Sequence, residues 1–228
     1  MAARSSKLPT AALAMALGLL AFWAGLAMAA LSYPSAYDWR YMTISSLLYP
    51  DRNPHGYGWG WAGLVICGIC GLYWVRHGVR GDRFATASLA AGYACMALCA
   101  LVPTPLFGLP KPHEILALTA FIAVCAGVTR LSFAALAVPN PPSQQTDRHR
   151  VRALAVSGLP FLPVVLAAAA QTYASHVHLP WVSLAWRAWG IPVYWSFAFW
   201  EWLGCAIYSV FLLWLAVGTS SWMLNYRR

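Results

Sequence analysis

Charge is what this sequence has least of. Only 9% of its 228 residues are Asp, Glu, Lys or Arg, and just 6 are acidic. A water-facing globule carries about 25% charged residues to cover its surface. That excludes a soluble fold and leaves lipid as the solvent for most of the chain. Segments of about ten residues with alternating polarity, the mark of a membrane β-barrel, are also missing. Cysteine is absent from every polar stretch: Cys67, Cys70, Cys95, Cys99, Cys125 and Cys205 all fall inside apolar runs. A secreted disulfide framework would place them in loops, so that class is excluded too. Finally, there is no basic surface interleaved with aromatics. The 15 Lys and Arg sit in short clusters between apolar runs, so the formal charge of +9 does not point to nucleic acid.

What is present is long apolar runs. A span needs about 20 such residues to cross a hydrocarbon core of about 30 Å. Six runs qualify, at residues 10–32, 57–75, 84–106, 113–138, 153–173 and 196–218. Turn chemistry separates them: Tyr33-Pro34, Arg52-Asn53-Pro54, Gly78 to Asp82, Pro110-Lys111-Pro112, Pro139-Asn140-Pro141-Pro142 and Leu179-Pro180. The expected fold is all-α, a polytopic transmembrane helical bundle of about six spans, built as one integral membrane domain over residues 1–228.

Basic residues set the orientation through the positive-inside rule. With the N-terminus inside, the inner side receives Arg4, Lys7, Arg76, Arg80, Arg83, Arg130, Arg148, Arg150, Arg152, Arg227 and Arg228. The outer side receives Arg40, Arg52, Lys111 and Arg187. This asymmetry predicts an N-in, C-in protein of the cell (inner) membrane. The first span has a second reading as a signal peptide, with basic Arg4 and Lys7 and a cleavage site at Ala27-Met28-Ala29. Its apolar run is longer than a typical signal core, which favours a retained span. Small residues at helix-contact spacing, Ala21 with Gly25 and Gly56 with Gly60, predict close helix approach. Tryptophans at the ends of spans predict an interfacial belt, and residues 181–190 an outer interfacial helix with Arg187 among headgroups.

The candidate chemistry lies on the outer half, where Asp38, Asp51, Glu114 and Glu201 hold four of the six acids and His55, His113, His176 and His178 four of the six histidines. Glu201 falls early in the last apolar run, sharing a helical face with Cys205 and Tyr208. Either it points into the bundle or it sits near a helix N-terminus and reaches water. His113 and Glu114 open the fourth run behind Pro112, where an acid suits a helix start. His176 and His178 alternate in a loop, a spacing that lets imidazoles share a metal. The first outer loop, Ser32 to Gly58, is long and rich in aromatic residues, which argues for order and function. If residues 37–48 are helical, Asp38, Ser45 and Ser46 share one face. Arg40 is expected to pair with Asp38 or Glu201.

The string Tyr37-Asp38-Trp39-Arg40, Thr43-Ile44-Ser45-Ser46-Leu47 and Asn53-Pro54-x-Gly56 resembles an uncharacterised family of bacterial six-helix membrane proteins, distantly similar to the DRAM and Sfk type. His113 and Glu201 fit its pattern. The resemblance implies a bacterial membrane location and this architecture, and carries no established reaction. Alkaline ceramidases and adiponectin receptors also combine Ser, Asp and His, but their seven spans and their His-x-x-x-His in the last span have no counterpart here.

The residues therefore point to a membrane protein that binds a lipid or lipid-linked group in a polar outer pocket, as an accessory or transport component. Asp38, Arg40, Ser45, Ser46, His113, Glu114 and Glu201 would line it, with Arg40 matched to a phosphate or carboxylate. Membrane lipids are the expected partners and no cofactor is implied. The alternative is a metal-assisted intramembrane hydrolase with His113, His176 and His178 holding zinc and Asp38 or Glu201 as base.

Overall fold

The computed structural model describes residues 7–79, 82–101, 112–137 and 185–225, together with 165, 166, 169 and 173. Among the described residues the regular structure is entirely helical. In chain order the helices are α1 (Lys7–Leu31), α2 (Ile44–Leu48), α3 (Tyr57–Gly78), α4 (Arg83–Leu101), α5 (Pro112–Ala137), α6 (Ala185–Ala188) and α7 (Phe197–Asn225), with a single 3-10 turn at Val193–Trp195 before the last. Among the described residues four stretches are long and apolar enough to cross a membrane: Thr10–Leu31, Tyr57–Gly78, Arg83–Leu101 and Phe197–Val217. They coincide with four of the six expected runs. A fifth, 113–138, is the single helix α5, whose apolar part is the shorter stretch Ile115–Leu131. The run at 153–173 lies almost wholly outside the described residues.

Large apolar side chains point outward along these helices, including Leu13, Leu17 and Leu20 on α1 and Ile115, Leu118 and Ile122 on α5. In water such faces would drive aggregation. In a bilayer they meet lipid tails, and helices then associate by close packing and hydrogen bonds instead of by the hydrophobic effect.

The chain divides into two compact units. One comprises residues 1–25, 61–154 and 212–228, and the other residues 26–60 and 155–211.

In the first unit, α1 buries Ala11, Met15, Leu19 and Phe22, spaced at three and four residues as one helical face. Glycines let the backbones touch. A methyl at Gly63 of α3 would sit 2.8 Å from the Ala21 carbonyl oxygen of α1. One at Gly92 of α4 would meet the Ala120 carbonyl of α5 at 3.0 Å, and one at Gly71 would enter the ring of Tyr93. Tyr93 is fully buried, sets its ring edge-on to Trp74 at 6.3 Å, and donates its hydroxyl to Met15 Sδ at 3.3 Å.

The turn before α4 is fixed by Asp82. Its Oδ1 accepts the Ala85 N–H at 2.9 Å, satisfying one of the orphan donors of a helix start, and its Oδ2 accepts Arg130 Nε of α5 at 2.6 Å. The Ala85 amide, with Arg130 beside it, holds the carboxyl below the usual carboxylate range. Asp82 therefore starts one helix and ties it to the next, beyond balancing local charge.

In the second unit, α1 ends over Leu26 and Ala29, both buried. Ala29 is within the last turn, so its carbonyl has no helical donor. Asn53, fully buried, supplies one: its Nδ2 donates to the Ala29 carbonyl at 2.9 Å and to that of Leu47 at 3.1 Å. The Asn53 carbonyl in turn accepts the Tyr57 N–H at 3.0 Å, where α3 begins. Gly56 must lack a side chain there, because a methyl would lie 2.6 Å from both amide atoms of Asn53 and 2.8 Å from the Ala29 carbonyl.

Candidate functional site

The condition of a helix over 37–48 is not met. Only Ile44–Leu48 is helical, and residues 39–41 make a turn in which the Asp38 carbonyl accepts the Tyr41 and Met42 N–H groups at 3.0 and 2.8 Å. Asp38 is thus on a different element from Ser45 and Ser46, and the shared face foreseen for the three is absent. Two side chains cause the break. The Tyr37 hydroxyl reaches the carbonyls of Met42 and Thr43 at 2.7 and 2.9 Å, holding them outside any helical pattern. Trp202 Nε1 then donates to the same Met42 carbonyl and to Tyr37 Oη, each at 3.1 Å. Burial pushes the Tyr37 phenol well up from its ordinary value, so it remains a neutral donor.

The neighbouring residue of α7, Glu201, grips the next peptide. Its Oε2 accepts the Ile44 N–H at 2.9 Å, at the first residue of α2. The local N-cap, Thr43, makes no side-chain capping bond. Its hydroxyl bonds instead with Ser45 Oγ at 2.8 Å and Ser46 Oγ at 3.1 Å. Glu201 therefore caps a helix from 157 residues away, half-buried. The interior-facing alternative for Glu201 is the one observed, with a backbone amide as its target and not Arg40.

Arg40 pairs with Asp38. Its Nε donates to Oδ1 at 2.8 Å and its Nη2 to Oδ2 at 2.9 Å, a side-on bidentate pair, and its backbone N–H adds a third bond to Oδ1 at 3.2 Å. Arg187, just after the start of α6, brings a second guanidinium, with Nη1 at 3.3 Å from Oδ2. The Asp38 side chain is only 10% exposed, whereas those of Arg40 and Arg187 are 43% and 66% exposed. The hydrogen-bonded Arg40 guanidinium, aided by the charge of Arg187, holds the Asp38 carboxyl below the usual range despite its desolvation. Close to these residues along the chain are exposed aromatic rings: Trp39, stacked on Phe199 at 5.8 Å, and, after Arg187, Trp189 and Tyr194. Tyr41 carries the loop to the residues after α6 by donating its hydroxyl to the Ile191 carbonyl at 2.8 Å.

The described members of the seven proposed pocket residues have the following partners. Asp38 and Arg40 form a charged surface triad with Arg187. Ser45 and Ser46 belong to the hydroxyl chain behind Glu201, and Ser46 also receives a long bond from Arg52 Nη1 at 3.3 Å. His113 belongs to the other compact unit, where its carbonyl accepts Cys99 Sγ at 3.4 Å. The side chain of Glu114 lies outside the described residues, as do His176 and His178. Among the described residues no three His, Cys, Asp or Glu side chains gather closely enough to hold a metal ion.

The sequence expectation places Arg187 among headgroups, without Asp38, gives Trp202 no role, and reads Asn53 as turn chemistry. No local signal announces the Arg187 contact, because the acid nearest to it in the chain is Glu201. Comparison with protein-family models, with curated proteins and with solved structures finds no match in any of the three.

Proposed function

We propose that this is an inner-membrane protein that binds the anionic part of a lipid or lipid-linked molecule on its extracytoplasmic side. The observation that carries this reading is the pair of exposed guanidiniums held on one mostly covered carboxylate. Asp38 uses the Nε and Nη2 edge of Arg40 and one nitrogen of Arg187. Both arginine side chains stay largely exposed and keep donors that Asp38 does not use, and planar guanidinium forks suit phosphate and carboxylate oxygens. Exposed Trp39, Trp189 and Tyr194 suit the headgroup level of a bilayer, where rings with one polar end partition. The positive-inside count puts this loop outside, and the string from Tyr37 to Gly56 supports kinship with the bacterial six-helix family it resembles. The chain would act as an accessory or transport component for the bound molecule.

The test is lipid retention by the purified protein, read by native mass spectrometry after exchange into mixtures of phosphatidylglycerol and phosphatidylcholine. The wild type should enrich the anionic lipid. The double change Arg40→Ala/Arg187→Ala should weaken that enrichment by roughly three- to tenfold, the scale of two exposed charge contacts. Equal enrichment by both proteins would refute the assignment.

A further inference from the structure

The composition of the triad carries a statement about which anion it takes. Two guanidiniums share a single carboxylate, so the group as a whole presents one net positive charge. The attraction of a ligand to such a site grows in proportion to the ligand charge. The cost of stripping water from the ligand grows with the square of that charge, as Born solvation requires. One uncompensated positive charge is therefore matched to one negative charge, and a second negative charge on the ligand is mostly desolvation without a partner.

Geometry points the same way. Asp38 already fills the Nε/Nη2 edge of Arg40, one of the two edges by which a guanidinium can chelate an anion. A ligand is left the outer nitrogens of Arg40 and the free edge of Arg187. An anion that presents one oxygen to each guanidinium engages both at once. A phosphodiester has two non-bridging oxygens and one charge, and meets both conditions.

Resting on the lipid-binding reading above, we propose that Asp38 is the specificity-determining residue of this site, tuning it to a singly charged phosphodiester in preference to a doubly charged phosphomonoester. Asp38 itself needs no contact with the ligand. It acts by occupying one edge of Arg40 and by subtracting one charge. Among the described residues the titratable groups packed nearby include Tyr33, Tyr37, Tyr41 and Glu201: Tyr37 bonds the Met42 and Thr43 carbonyls, takes Trp202 Nε1 and packs on Tyr33, while Tyr41 bonds Ile191 and Glu201 bonds Ile44. With Asp38 held ionised by its arginines, the charge of the triad stays constant above the carboxylate range.

The experiment compares phosphatidylglycerol, a phosphodiester, with phosphatidic acid, a phosphomonoester, each against phosphatidylcholine in nanodiscs, at about pH 5 and about pH 8. A phosphomonoester takes its second charge near pH 6, so the wild type alone supplies one arm. Its preference for phosphatidylglycerol over phosphatidic acid should be at least about threefold at the higher pH and shrink at the lower, the scale of one exposed charge. Phosphatidylglycerol keeps one charge throughout, so its ratio to phosphatidylcholine monitors any titration of the protein. The change Asp38→Asn should shift the preference towards phosphatidic acid by a similar factor.

If Asp38→Asn does not fold, the wild-type pH series decides. Preference ratios that ignore both pH and the substitution, or a wild type that favours phosphatidic acid at pH 8, would overturn the role of Asp38 and leave lipid binding intact. Failure of both anionic lipids to exceed phosphatidylcholine would overturn lipid binding itself. A soluble arm uses glycerophosphoglycerol as competitor. Weak competition fits a lipid source, and displacement as effective as by the lipid would overturn that part by making the ligand a soluble phosphodiester.

Discussion

Asp38 is the one side chain on which three hydrogen bonds from Arg40 and one from Arg187 converge. Its carboxyl is held below its ordinary value, so the stability it contributes is present above the unfolded-state value of about 3.9 and is lost as pH falls through the lower folded-state value. Thermal melting in detergent should accordingly be level from neutral pH to about pH 4 for this contribution and decline only below it. Asp38→Asn should remove that acid-side decline, and an unchanged acid profile in the variant would contradict the assignment. Arg40→Ala should lower the melting temperature slightly at low salt. That difference should vanish near about 1 M salt, where the screening length falls to about 3 Å. A pair with one partner 43% exposed does not behave as a buried ion pair, for which loss of Arg40 would strand a charge in low dielectric.

At the scale of elements, α2 shows what local sequence does and does not encode. Thr43 is an ordinary N-cap residue by type, yet its hydroxyl is turned to Ser45 and Ser46 and the capping acceptor comes from α7. Nothing within ten residues of Ile44 announces Glu201. A string such as 37–48 reads as helical because the competing partners, the Tyr37 hydroxyl excepted, lie more than 150 residues on. The long helices were legible for the opposite reason: a run of about 20 apolar residues has only one way to satisfy its backbone in lipid. Glu201→Gln keeps the acceptor oxygen, whereas Glu201→Leu removes it. Loss of a cap costs about 1 kcal/mol, so hydrogen exchange at the Ile44 amide should quicken by roughly fivefold in the Leu variant and little in the Gln variant. Equal exchange in the two variants would mean that the Glu201 contact does not protect α2.

For the whole molecule, the charge asymmetry makes a topological statement that labelling can check. A cysteine placed at Ser35 in a Cys-free background should react with an impermeant reagent from outside, and one replacing His77, in the last turn of α3, only from inside. External labelling at His77 would invert the orientation and with it the side on which Asp38, Arg40 and Arg187 lie. The runs that form the four spanning-length helices among the described residues could be read before any coordinates, because composition sets them. Which faces meet could not: Gly92 against Ala120, or Gly71 against Tyr93, depends on register between helices, and small residues are too common in such chains to name their partners.

The two fastenings of the loop differ in when they can be made. Asn53 bonds Ala29 and Leu47, which precede it by 24 and 6 residues, so this knot closes as soon as α1 and the start of α3 have left the ribosome. The clasp by Glu201 and Trp202 spans 157 and 160 residues and must wait for the last helix. Arg187 also follows Asp38 by 149 residues. During synthesis the loop is therefore tied at its far end and open at its near end, with Asp38 and Arg40 together but their second guanidinium not yet made. The second guanidinium thus arrives just ahead of the α7 clasp, so a chain truncated before α6 can thread its first helices and still lack the complete Asp38–Arg40–Arg187 triad.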